Sequence, residues 1–329
     1  ILYKLLTDPT IASKRWVYEQ YDSQVRTNTV NIKGDAAVLR LKEIPGKGIA
    51  MKTDCNSTHV YLNPYKRGMG AVCESARNVA CVGARPVAIT NCLNFGNPYD
   101  PEVYFQFSEA IKGMGDACRR LETPVTGGNV SFHNETKTSA INPTPTIGML
   151  GLIDDLTKVM SSEFKNEGDD IYLLGSDRKE IGGSQYLKTI FDKVVGDAPD
   201  IDIDEEANLI DAILELIGEG VINSAHDTSE GGIAVCLAEK AMSSDGLGCQ
   251  VNIDGDNASL FGESHSRIII SASPEQATRI SEIAVEYNLG LLKMGTVIED
   301  DFIINDSINE PVEKLLAAYE SALPNIMNK

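Results

Sequence analysis

Residues 126–135 read Thr126-Gly127-Gly128-Asn129-Val130-Ser131-Phe132-His133-Asn134-Glu135. Glycine has no Cβ, so a Gly-Gly backbone can approach an oxyanion closely and aim its N–H groups at the oxygens. The Asn and Glu oxygens that follow are hard donors of the kind Mg²⁺ accepts. This short segment therefore offers donors to an anion and acceptors to its counter-cation. The same residues also suit an ordinary Gly-Asn turn leading into a polar loop.

Four further segments could carry chemistry. Asn91-Cys92-Leu93-Asn94-Phe95-Gly96-Asn97-Pro98 follows an apolar stretch. It is either a hydrogen-bonding platform at a strand end or a turn before a helix. Glu74 and Asn78 stand four apart on a helical pattern and so share a face. A carboxylate and an amide one turn apart can hold a divalent cation, or they can form a surface polar pair. In Ala225-His226-Asp227-Thr228-Ser229-Glu230-Gly231-Gly232, an Asp, Thr or Ser is placed to cap the next helix. The Asp227 carboxylate could alternatively meet a metal at that helix start. In Phe261-Gly262-Glu263-Ser264-His265-Ser266-Arg267, the glycine, two hydroxyls and an arginine could surround a phosphate, or make a turn before a strand.

The elements that must position these groups alternate along the chain. Strands are predicted over 35–43, 48–54, 86–92 and 146–153, the last as a buried strand, with helices over 67–83 and 101–121. The stretch 157–168 is polar and marks the domain junction. Beyond it, strands at 170–175, 221–226, 247–253, 267–272, 290–297 and 302–305 alternate with helices at 205–219, 231–243, 274–288 and 310–320. This pattern predicts an α/β (α+β) protein of two layered domains, 1–156 (with a leading segment 1–30) and 157–329. No strand runs into Gly-x-Gly-x-x-Gly and a helix, and Walker A is absent, which disfavours both familiar nucleotide cradles.

Composition narrows the function classes. The 329 residues are 42% hydrophobic and 23% charged, with a net charge of −19. That balance argues against a nucleic-acid partner, which needs basic stripes. Nucleotides remain possible ligands where Mg²⁺ and backbone donors neutralise the phosphates. No apolar run is long enough for a membrane span. The start, Ile1-Leu2-Tyr3-Lys4-Leu5-Leu6, lacks the pattern of a signal peptide and an initiator Met, which suggests a processed chain or an excised fragment. The seven cysteines have no Cys-x-x-Cys spacing and fit buried thiols of a reducing cytoplasm. The four histidines form neither a metal pair nor a nucleophilic triad.

Taken in order, residues 8–23, 35–40, 54–65, 73–83, 91–98, 126–135, 226–232 and 262–267 resemble the synthetase subunits of phosphoribosylformylglycinamidine synthase (formylglycinamide ribonucleotide amidotransferase). The likeness covers essentially the whole chain. Members of the small type are about twice as long and consist of two homologous halves. Each half has N- and C-terminal domains of the aminoimidazole ribonucleotide synthetase (PurM-like) kind. This chain resembles the second half only.

The resemblance implies an ATP-dependent ligase of purine biosynthesis. ATP activates the amide oxygen of formylglycinamide ribonucleotide, and ammonia from a glutaminase subunit displaces phosphate. A small bridging subunit completes the complex. By this resemblance Asn91 and Gly128 contact ATP, Asn129 binds Mg²⁺ and Ser131 touches the ribonucleotide. Asn91 replaces the family's usual Asp, so it accepts hydrogen bonds without supplying charge. Glu74, Asn78 and Asp227 match an auxiliary nucleotide and metal site. Gly262, Glu263, Ser264 and Ser266 correspond to a phosphate loop that either binds phosphate or is vestigial.

The family's catalytic histidines lie in the first half, and neither His59 nor His133 matches them, so no catalytic residue is expected here. The isolated chain is then expected to be cytoplasmic, inactive, and a homodimer through the 35–62 and 86–92 strands. The alternative reading is a structural half that holds a nucleotide without turnover.

Overall fold

The computed structural model describes residues 1–31 and 33–328. Two short helices, α1 (Leu2–Leu6) and α2 (Arg15–Tyr18), precede a six-stranded sheet. Its strands are β1 (Thr29–Asn31), β2 (Ala37–Arg40), β3 (Gly48–Asp54), β4 (Arg85–Asn94), β5 (Val125–Ser131) and β6 (Thr144–Ile153). They lie in the order β1-β2-β3-β6-β4-β5, antiparallel except for the parallel pair β4 and β5. Helices α3 (Ser57–Leu62), α4 (Pro64–Cys81) and α5 (Pro101–Arg120) lie between these strands in sequence.

Local chemistry explains the two long helices. Asn63 accepts the Lys66 N–H and Pro64 opens α4, while Asp100 accepts the Glu102 N–H and Pro101 opens α5. Both follow the preference for a polar cap followed by proline. The helices approach closely at small residues: a Cβ on Gly113 would lie 1.9 Å from the Tyr65 carbonyl oxygen.

The second sheet is built from β7 (Asp170–Gly175), β8 (Ser224–Asp227), β9 (Leu247–Val251), β10 (Arg267–Ala272), β11 (Leu291–Glu299), β12 (Asp301–Ile304) and β13 (Ile308–Pro311). Its order is β13-β12-β9-β11-β7-β10-β8, with only β12 and β9 parallel. The helices of this part are α6 (Gln185–Phe191), α7 (Ile203–Glu219), α8 (Gly232–Ser243), α9 (Asn257–Phe261), α10 (Ala277–Glu286) and α11 (Val312–Met327). No helix among the described residues is long and apolar enough to cross a membrane.

One apolar core joins both sheets. Val72, Ala76 and Val79 of α4 share it with Ile147 and Met149 of β6, Leu209 and Ile213 of α7, and Ile268 and Ile270 of β10. A second core holds α8, β9, β12 and α11 together with Leu2, Leu5 and Leu6. The beginning of the leading segment therefore packs on the later part of the chain, not on the first sheet.

Strand β6 also departs from expectation. Ile147, Met149 and Ile153 face the core, but Leu150 is half-buried and Leu152 is 46% exposed. The apolar run reads as a strand buried on both sides, whereas one side is open. Register aligns Leu39, Ile49 and Leu152 across that open face, and Met51 with Leu150 in the adjoining row.

Candidate functional site

The Gly-Gly segment is a strand, not a turn. β5 pairs with β4 in parallel, setting Asn91 opposite Gly128, Cys92 opposite Asn129 and Asn94 opposite Ser131. β5 ends the sheet, so one row of its backbone N–H and C=O groups is free of strand pairing. Residues 125–130 are all exposed. Gly128 has φ +152°, and a Cβ there would lie 2.1 Å from Asn91 Oδ1. Only glycine allows Asn91 to lie over this backbone. The structure thus brings Asn91, Gly128 and Asn129 together on one open strip.

Ser131 ends the strip, and Asn134 fixes it. The Asn134 amide donates to the carbonyls of Ser131 (2.9 Å) and Phe95 (3.0 Å), and Ser131 Oγ lies 3.2 Å from Asn134 Oδ1. Glu135 is drawn aside, its Oε2 accepting the Asn97 N–H at 3.1 Å. Sequence reading singled out Ser131 but gave Asn134 no positioning role. A side-chain amide three residues after a serine was the available signal.

Glu74, Asn78 and Asp227 also come together, but in the interior. Asn78 donates to the Glu74 carbonyl (2.7 Å) and to Asp227 Oδ2 (3.2 Å). The cation that meets Asp227 is Arg77, whose Nε donates to Asp227 Oδ1 and whose Nη1 donates to Glu206 at 2.6 Å. Burial opposes the Arg77 charge, yet Asp227 and Glu206 outweigh it and hold Arg77 protonated. Burial, followed by repulsion from Asp54 and Glu230, pushes the Glu74 carboxyl well above its ordinary range. Among the described residues no cluster of three or more His, Cys, Asp or Glu side chains is fit to hold a metal. Arg77, between the two expected ligands on the same helix, was the residue missed.

The expected cap of α8 is different as well. Asp227 lies within β8, and the cap position is Gly231 in the left-handed region at φ +83°, with no capping side chain of its own. Glu263 Oε1 instead accepts the Gly231 N–H at 2.9 Å and the Gln185 N–H at 2.8 Å. The rest of the Gly262–Ser266 loop is turned into the protein. Ser266 Oγ donates to Glu206 at 2.6 Å, Ser264 Oγ accepts the Glu180 N–H, and the fully buried Arg267 donates to the Gly262 and Ser264 carbonyls and to Asp177.

Two family models match this chain. The AIR synthase related protein N-terminal domain matches residues 33–153 and the C-terminal domain matches residues 166–305. The chain is 49% identical over 340 residues to the phosphoribosylformylglycinamidine synthase subunit PurL of Salinibacter ruber; the match takes in 98% of this chain and 45% of that protein. The chain spans about half the length of the curated relatives it matches. Its fold is that of Thermotoga maritima PurL. The structure complexed with FGAR has a TM-score of 0.73 at 21% identity, covering 96% of this chain and 52% of that one. The structure complexed with ATP has a TM-score of 0.70 at 23% identity, covering 97% and 53%. Two sheets, two matching domain models and a half-length match at near 49% identity lead to one assignment: the chain belongs to the AIR synthase related proteins, as a homologue of the PurL subunit of phosphoribosylformylglycinamidine synthase.

Proposed function

We propose that this chain is the second half of an ATP-dependent synthetase that converts formylglycinamide ribonucleotide, ATP and glutamine-derived ammonia to the amidine, ADP and phosphate. The observation that carries the reading is the open β4–β5 strip, where Asn91 lies over Gly128 with Asn129 and Ser131 beside them. The relatives' names and the FGAR and ATP complexes of the T. maritima protein support it.

In this reading Asn91 and the Gly128 backbone contact the nucleotide. Asn129 supplies one neutral oxygen, too little for a protein-built Mg²⁺ cage, but suited to an ion that arrives already coordinated by phosphates and water. That ion would neutralise charge on the transferred phosphoryl group. Ser131, pinned by Asn134, orients the ribonucleotide so that its amide oxygen meets the phosphoryl donor. ATP makes the amide oxygen a good leaving group, and ammonia then displaces phosphate. The proton-transfer groups come from the other half.

The open face around Met51 and Leu152, 41% and 46% exposed, is where that other half packs, or a second copy of this chain when it is alone. The chain works in the cytoplasm beside a glutaminase subunit and a small bridging subunit. Replacing Asn129 by Ala in the whole synthetase is expected to raise the Mg²⁺ concentration needed for half-maximal rate and to lower kcat by about 10²-fold. An unchanged Mg²⁺ dependence would remove Asn129 from the site.

A further inference from the structure

The resemblance implies a metal held by Glu74, Asn78 and Asp227, and the donors in this chain do not fit one. The Asn78 amide nitrogen lies between two acceptors, the Glu74 carbonyl and Asp227 Oδ2. The amide therefore turns its NH₂ to Asp227, whereas a hard cation binds the amide oxygen. The neighbouring carboxylates are already engaged by the protein. Asp227 Oδ1 accepts Arg77 Nε, and Oδ2 accepts Asn78 at 3.2 Å. Glu206 Oε1 accepts Arg77 Nη1 and Oε2 accepts Ser266 Oγ, both at 2.6 Å. Asp35 Oδ1 lies 2.5 Å from His226 Nδ1, and Oδ2 accepts the Asp227 N–H at 2.7 Å. Each oxygen of these three carboxylates thus has a protein partner.

Arg77 and Glu206 are fully buried, and Asp35 and Asp227 nearly so. Buried carboxylates need a cation. A divalent ion sharing the oxygens of Asp227 or Glu206 would lie within about 5 Å of the guanidinium. Like charges that close inside a protein repel strongly. Space is short as well: the cavity that Glu74 lines has a volume of about 10 Å³. That is about the space of a single water, far too small for a nucleotide.

We infer that the Arg77 guanidinium is the resident cation of this cluster, standing where a divalent ion would, so that the Glu74–Asn78–Asp227 region is a metal-independent tie between α4, α7 and β8. The fold supplies every charge of the tie. Arg77 comes from α4, Glu206 from α7 and Asp227 from β8, while Ser266, just before β10, holds the far oxygen of Glu206. Removing the guanidinium would leave two buried carboxylates and the space of a long side chain, which is what a carboxylate-binding ion such as Mn²⁺ requires.

The test measures thermal unfolding with MnCl₂ against KCl at matched ionic strength. It uses the Asn129→Ala chain, so that a cation at the β4–β5 strip does not enter the readout, and Asn129→Ala/Arg77→Ala. Asn129→Ala is expected to show no saturable shift. With Arg77→Ala added, the protein is expected to unfold earlier without Mn²⁺ and to gain about 3 °C as Mn²⁺ saturates. Adding Asp227→Asn to that pair is expected to abolish the gain. Arg77→Lys keeps a cation at the position and is expected to show none.

A saturable gain in Asn129→Ala that Asp227→Asn removes would overturn the proposal, because the site would then take a metal with Arg77 in place. So would a folded Arg77→Ala variant that gains nothing. Should alanine prevent folding, the same variant is refolded with and without Mn²⁺. Recovery that needs Mn²⁺ supports the proposal, and the same outcome in both counts against it.

Discussion

At the scale of single residues, a few contacts hold the β4–β5 strip and the buried ion pairs in place. Gly128→Ala places a methyl against Asn91 Oδ1 and in an unfavourable φ region. It is expected to destabilise by about 1–3 kcal/mol, with part of the loss recovered in Gly128→Ala/Asn91→Ala; urea unfolding of the three variants measures this. Arg77→Met leaves Asp227 and Glu206 buried without their cation and is expected to cost about 3–5 kcal/mol. Acidity supplies a third readout. Burial, and then Glu230, pushes the Glu263 carboxyl up to about 8, and the same two causes in the same order push the Asp54 carboxyl up to about 7. Both groups hold protons in the folded state that the unfolded chain releases near pH 4 to 5, so stability falls as pH rises from about 5 to about 8. His59 and His265, held well below their ordinary range by burial and then by Arg67, act in the opposite sense, but only below about pH 6.5. Between about pH 6.5 and 8 the carboxyls act in the same sense as His226, whose burial is outweighed by Asp35 so that it stays protonated, and Glu263→Gln is expected to flatten part of the fall in unfolding temperature there.

At the scale of elements, apolar spacing marked the long helices, while β7 and β10, buried along their whole length, read as short apolar runs. α4 and α5 are legible from the apolar spacing over 67–83 and 101–121, although α4 starts earlier, at Pro64 behind its Asn63 cap. β5 was not. Two glycines beside Asn look like a turn from local chemistry alone, and only pairing with β4 makes the segment extended. The same reason hid the capping of α8: its partner, Glu263, lies 32 residues from Gly231. Glu74, Asn78 and Asp227 were found by spacing, while the ion pairs of Arg77 with Asp227 and Glu206 span 150 and 129 residues. Long-range polar partners leave no periodic trace in sequence. The α4–α5 crossing offers a direct check on the packing. Gly113→Ala must move the Tyr65 backbone, and a loss of about 1–3 kcal/mol is expected by chemical denaturation.

At the scale of the whole molecule, two features tie the chain into one body with an unfinished surface. The core shared by α4, α7 and β10 links the two sheets, and α1 reaches back to pack on α8 and α11. The open face of the first sheet carries Leu39, Ile49, Met51, Leu150 and Leu152 in adjoining rows, an arrangement suited to a second apolar face. Met51→Asp with Leu152→Asp is expected to leave the fold intact and to abolish self-association, read by sedimentation at micromolar concentration. The central claim is that the β4–β5 strip is one wall of an active site completed by the other half of the subunit. The direct measurement is amidine formation from formylglycinamide ribonucleotide, ATP and ammonia by this chain alone, and by the chain mixed with that other half. The account predicts no product from the chain alone and restored turnover on mixing; sustained product from the chain alone would contradict it.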